Sequence, residues 1–441
     1  MKFVIRRTSL VAVALLSLMP LLAQGPAKPD ISPAEREAHW REDIKVMADG
    51  LSVPGQTFDL QHGLATRGQI DFLKLYPADS FNDALKSLDA DIPTLSDAEI
   101  VLALMRLMAS ANVGHNVVQT PIGLGFFARV PLEFHWYSDG MAVVAASSEY
   151  SSALGARVVS IGGKTPDRLL SEVAPYVSHE NDTWLRQASA GLIRSAAVLE
   201  HFGVLGPDGL LSLTLQKPGA APFTLSVKPG DPRVKRQSLN ESLTVPAPLF
   251  LSKTQSYYWH QYLSDSQTLF IQYNVCENDP QRPFADFARQ VLADADSHTV
   301  QRVVIDLRLN GGGNSLILYP LMKGLESRLQ EVGHLYVLIG PNTFSSGMDN
   351  AIELRKTLHA TLVGEPTGGK PSSYGEVKTL TLPNSKLVVR YTSKWFGRQD
   401  DDSPSLQPDL PSPRTLVDVL AGRDPVLETV LAADRKLAAG K

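Results

Sequence analysis

Cysteine is all but missing: Cys276 is the single thiol in 441 residues. That excludes an intrachain disulfide framework and any zinc site built on several thiolates. An excess of positive charge is missing too. Lys+Arg number 42 against 46 Asp+Glu, a formal net charge of −4, so nothing electrostatic points to a nucleic-acid partner. No HExxH occurs and the histidines are scattered, so no metal is expected. The glycine loop at 311–313 has neither a GxGxxG fingerprint nor a Gly-Lys-Ser/Thr ending, and no organic cofactor is expected either. The composition, 43% apolar and 20% charged, excludes a disordered or collagen-like chain.

Long apolar runs are confined to one place. Lys2, Arg6 and Arg7 precede residues 10–23, apolar except for Ser17 and Pro20, and Ala23-Gln24-Gly25 follows as a small-x-small site. The run is short for a bilayer span and has the form of a secretory leader over residues 1–25. The expectation is an exported protein, periplasmic or secreted, with no stable membrane span after leader cleavage.

Beyond the leader the patterning changes twice. Residues 26–125 are predicted helical. Ser96-Asp97-Ala98-Glu99 is a capping box opening an amphipathic run (Ile100, Val101, Leu104, Leu107, Met108) that stops at Asn112-Val113-Gly114, with His115 next. Residues 126–240 turn to short strands, such as Val158–Ile161 before Gly162-Gly163, interrupted by a helical stretch around 183–202. Proline and glycine over 229–247 mark a boundary. From 241 to 441 strands alternate with helices: strands at 303–307, 335–339 and 361–363, a helix over 348–358. This order predicts an α/β architecture with partly parallel strands.

Three segments could carry chemistry. In Gly340-Pro341-Asn342-Thr343-Phe344-Ser345-Ser346-Gly347, between a strand and a helix, a serine hydroxyl would lie at a helix N-terminus, where free N–H groups favour a developing anion. The same residues also make an ordinary helix cap. Asp306-Leu307-Arg308-Leu309-Asn310-Gly311-Gly312-Gly313 follows a buried strand, and its glycines allow close backbone approach to a ligand, or simply a turn. Val363-Gly364-Glu365-Pro366-Thr367-Gly368-Gly369-Lys370 returns after one helix and one strand. A lysine there activates a serine only if its amine is neutral; otherwise it is a solvated loop residue.

Together these segments, over roughly residues 300–375, resemble the C-terminal processing (tail-specific) peptidases, the S41-type serine peptidases that include the tricorn core. The resemblance continues faintly in Asp402-Ser403-Pro404, Pro408-Asp409 and Gly422–Pro425, and residues 154–163 resemble a PDZ-type strand pair. It implies a ClpP/crotonase-like β-spiral catalytic domain over 241–441, an N-terminal helical region and a small degenerate PDZ-like β domain. It further implies a peptide or protein substrate. Ser345 aligns with the family nucleophile, and Ser346 offers one backbone oxyanion donor. Gly312 is the first choice for the second donor, with Gly311 and Gly313 as alternatives.

Two bases stay open. Lys370 aligns with the lysine of one branch of the family, His115 with the histidine of the tricorn-like branch. An ordinary histidine, with a pKa near ~6.5, accepts a proton at neutral pH without help, while a lysine must drop by roughly three units. That tilts the reading toward His115. Glu376 is a candidate orienting acid or an exposed loop carboxylate, and Cys276 reads as a core residue. A non-catalytic ligand carrier on the same scaffold, and an esterase or amidase using the same nucleophile, stand as alternatives.

Overall fold

The computed structural model describes residues 31–52, 78–119, 128–328, 333–397 and 402–439. The expected leader lies outside the described residues. Among the described residues no helix is long and apolar enough to cross a membrane.

The first layer is helical: α1 (Pro33–Ser52), α2 (Ala78–Asp91) and α3 (Asp97–Ala109). The capping box forms as expected. Glu99 N–H donates to Ser96 Oγ at 3.3 Å, and Ser96 N–H donates to the Glu99 carboxylate at 2.8 Å. Ile100, Val101, Leu104 and Met108 of α3 are fully buried with Trp40 and Met47 of α1 and Phe81 of α2. Each such side chain contributes roughly 1.5–3 kcal/mol of burial. Helix does not continue to residue 125. Asn112 turns left-handed at φ 51°, and Val117–Gln119 then forms a strand, β1.

A five-stranded antiparallel sheet follows, ordered β2 (Leu132–Tyr137), β3 (Gly140–Ala146), β4 (Arg157–Ile161), β5 (Leu211–Gln216), β6 (Phe223–Val227), with β7 (Gln237–Ser238) beside β3. β4 runs into Gly162-Gly163 as expected. A Cβ on Gly162 would lie 2.3 Å from the Val204 carbonyl, so only glycine fits this turn. The helical stretch expected around 183–202 is two helices, α4 (Asp182–Leu192) and α5 (Ala196–His201). It breaks because residues 128–130 claim its backbone: Val130 N–H donates to Arg194 O and Ala196 N–H to Ala128 O.

The third unit is a six-stranded sheet in the order β15-β12-β11-β10-β9-β8: β8 (Tyr258–Leu263), β9 (Thr268–Tyr273), β10 (Arg302–Asp306), β11 (His334–Ile339), β12 (Thr361–Gly364) and β15 (Leu410–Pro411). All neighbours are parallel except β8 and β9. Helices α6 (Phe284–Ser297), α7 (Tyr319–Glu326) and α8 (Ser346–Leu358) bury Val303, Ile305 and Val337 on one face. Helix α9 (Pro425–Ala439) buries Val304, Leu338 and Val363 on the other. Covering both faces is what makes these strands continuous apolar runs. Arg308, at the end of β10, is buried between Asp306 (2.6 Å) and Asp424 (2.7 Å) and ties the strand to the start of α9. The Asp-Leu-Arg element therefore includes an architectural arginine.

The hairpin of β13 (Ser373–Thr381) and β14 (Val388–Phe396) leaves this sheet altogether. β14 pairs antiparallel with β1, and Leu382, Leu387 and Val389 enter the core of the helical layer. Asp43 of α1, fully buried, accepts N–H bonds from Asn384 (2.8 Å) and Ser385 (2.7 Å) at the hairpin turn. This cross-connection sets the residues after α3 beside the start of α8.

Candidate active site

Ser345 joins β11 to α8 in a backbone conformation that serine rarely adopts, φ 49° and ψ −130°. Such a residue costs on the order of 1–3 kcal/mol and persists only where its surroundings hold it. Here they do. Thr343 Oγ donates to Leu307 O at 2.9 Å, Phe344 N–H donates to Asn310 O at 3.0 Å, and Gly369 N–H donates to Thr343 O at 3.2 Å. The Ser345 side chain makes no capping bond, so its hydroxyl is not spent as a helix cap. The helix begins at Ser346, two residues earlier than the pattern suggests, which leaves the Ser346 N–H among the open donors of a first turn.

The glycine loop lies directly against this serine. A Cβ on Gly312 would come within 2.7 Å of Ser345 Cβ and 3.0 Å of Ser346 N. Gly312 is not the free donor expected of it, however. Its N–H donates to Asn310 Oδ1 at 2.9 Å. Gly313 is better placed. Cys276 N–H donates to Gly312 O and Asn314 N–H to Cys276 O, a bridge that turns the N–H and C=O of Gly313 away from Cys276. On that side Ser346 Oγ donates to Gly313 O at 2.7 Å. Asn310, whose Nδ2 also donates to Tyr273 O, braces the loop; in the sequence it was indistinguishable from a turn residue.

His115 arrives through the turn after α3. Asn116 beside it accepts from Thr392 N–H at 2.8 Å, and Gly114 packs so closely on Phe344 and Trp184 that a Cβ would lie 3.1 Å from the Phe344 ring. The His115 ring lies 4.6 Å from that of Phe344, the residue before the serine. Neither ring nitrogen has a hydrogen-bond partner among the described residues. Burial, then the Arg390 cation, push its pKa down to about 4, with the nearby Tyr374 backbone opposing. His115 and Ser345 line one cavity of about 710 Å³ together with Gly313, Trp184, Glu376 and Arg390.

Lys370 does not line that cavity. Its Nζ lies 3.0 Å from the Asp402 carboxylate and is held in that ion pair. Glu376 does line it, in a left-handed conformation (φ 51°), but its carboxylate lies 3.5 Å from Lys378 Nζ. Cys276 is fully buried, as its surroundings in the sequence suggested; Sγ donates to Asn310 Oδ1 and Asn350 Oδ1, and burial pushes the thiol up to about 11. Two further residues escaped the sequence reading. Asn181 donates to Gly368 O (3.0 Å) and Pro404 O (2.7 Å), clamping the Lys370 loop. Glu180 faces the Gly114 backbone, and burial raises its carboxyl to about 7 against the pull of Gly114 and Lys370. Neither carries a local signal beyond a helix cap. Among the described residues no cluster of His, Cys, Asp and Glu is built to hold a metal ion.

Within this unit, the sequence model of peptidase family S41 matches residues 319–411, the span of Ser345 and the Lys370 loop. Over those residues the chain is similar to peptidase family S41. It is a serine-type peptidase. The S41 match starts after the glycine loop, which is joined to it only by the contacts above. Among solved structures the chain is similar to mature CPAF complexed with lactacystin, at TM-score 0.62 and 15% identity over 92% of this chain and 99% of that one. It is likewise similar to mature CPAF, at TM-score 0.59 and 15% identity over 92% and 98%. At that identity the likeness shows a shared fold. No curated protein matches the chain significantly.

Proposed function

We propose that this peptidase cleaves peptide bonds through an acyl-enzyme on Ser345, with His115 as general base. The observation that carries this reading is a strained, uncapped serine sharing a cavity with an imidazole whose nitrogens no side chain engages. His115 takes the hydroxyl proton as Ser345 attacks the carbonyl. Two main-chain N–H groups, Ser346 and Gly313, receive the oxyanion, each such donor being worth roughly 3–4 kcal/mol of barrier. The imidazolium then protonates the leaving amine, and water repeats the sequence on the ester. Gly312 serves this arrangement by its lack of a side chain, and Lys370 by holding its loop.

A fluorophosphonate probe should label the wild type and fail to label Ser345→Ala, while a peptide library should be cleaved and an ester panel spared. Labelling of neither protein would instead support a ligand carrier, and turnover of esters alone an esterase. The cationic, apolar and small-residue order of the first 25 positions supports export to the periplasm or beyond. The mature protein's N-terminal sequence tests this: a chain still beginning at Met1 sinks it.

A further inference from the structure

Arginines of the C-terminal half are matched to carboxylates: Arg308 to Asp424, Arg328 to Asp296, Arg355 to Asp409, Arg423 to Glu428. Arg282 and Arg302 lack a carboxylate but donate to the carbonyls of Tyr258 and Ser266; Arg390 does neither. It stands on β14 opposite Val117 of β1, half-buried, and lines the cavity of Ser345 and His115 with no ion-pair or hydrogen-bond partner among the described residues. A guanidinium drawn partly out of water without an anion destabilises the fold. Such a group is retained most readily where a ligand supplies the anion, and a planar fork of N–H donors matches a carboxylate in two-point fashion.

We propose that Arg390 is a specificity-determining residue that binds the carboxylate of an Asp or Glu side chain of the peptide substrate beside the scissile bond. The inference rests on the peptidase reading and names its substrate class. The other charged groups of the cavity leave this role to Arg390. Glu376 is occupied by Lys378, and Asp349 sits across the cavity on the first turn of α8. Arg390 is also one of the two causes that hold the His115 imidazole down, so a bound carboxylate relieves one of them and leaves a stronger base beside Ser345. Substrate binding and activation of the base are thereby coupled.

The test uses the full chain carrying Ser345→Ala, so that binding is read without turnover. Fluorescein-labelled alanine-rich octapeptides are prepared with a free C-terminal carboxylate, with a C-terminal amide, and as the amide with one internal Glu. Fluorescence anisotropy should show the internal-Glu peptide binding at least 10-fold tighter than the plain amide, and an advantage confined to the free C-terminal carboxylate overturns the proposal. The Glu advantage should vanish in Ser345→Ala/Arg390→Gln and survive in part in Ser345→Ala/Arg390→Lys, which keeps the charge without the fork. Equal binding of all three peptides, no binding of any, or an advantage that persists in Arg390→Gln overturns the proposal. These outcomes are independent of the labelling experiment, which tests the nucleophile alone.

Discussion

Two histidines of this protein occupy similar surroundings and face different fates. His115 and His135 are both buried, and both have an arginine nearby. Burial followed by that cation lowers their pKa values to about 4 and about 3. His135 is enclosed by its neighbours: Arg414 Nη2 lies 3.4 Å from its Nε2, and Tyr137 meets its ring edge-on at 4.5 Å. The nitrogens of His115 are engaged by no side chain, and the ring lines a cavity that also holds a serine. A perturbed pKa accordingly marks burial, not catalysis. What separates a base from a packing residue is whether its lone pair faces a reacting group.

Substitution is the most direct way to break this comparison. His115→Ala should lower kcat by roughly 10²–10⁴-fold with folding retained. His135→Gln should leave kcat within a few-fold and instead lower Tm by roughly a few degrees, the cost of disturbing a buried polar contact. Equal losses of kcat in both would erase the distinction. A pH profile sharpens it next. The base must be neutral to act, and its folded pKa lies near 4, so kcat/KM should fall only as pH drops through about 4 and stay level from about 5 to neutrality. An acid limb near ~6.5, where an unperturbed histidine titrates, would contradict the burial of His115. The smallest effect is expected at the rival base. Lys370→Met removes the ion pair with Asp402 at the edge of the Gly368-Gly369 loop and should change kcat by less than about 10-fold. A collapse of kcat there would return the base to lysine.

Features that depend on near neighbours were legible without coordinates. The capping box of α3, the parallel strands β10 to β12 and the serine at the head of α8 each follow from a short pattern whose partners lie within a few residues. The helix expected to reach residue 125 failed for the opposite reason. Val117–Gln119 becomes a strand because β14, some 270 residues away, offers an open edge. The proposed second oxyanion donor moved from Gly312 to Gly313 for a similar reason. Three consecutive glycines look alike as letters, and only the Asn310 side chain and the bridge to Cys276 show which N–H is occupied.

Through its family resemblance the sequence named two candidate bases, and by itself it determined the α/β strand–helix order and the position of a serine at a helix start. Those depend on local backbone preference and apolar periodicity, which act over one or two turns. Only the tertiary structure set His115 rather than Lys370 in one cavity with Ser345, and only it set an unpaired Arg390 there. That choice depends on which groups already have partners, and the partners come from loops, helices and strands that meet only when the chain is folded.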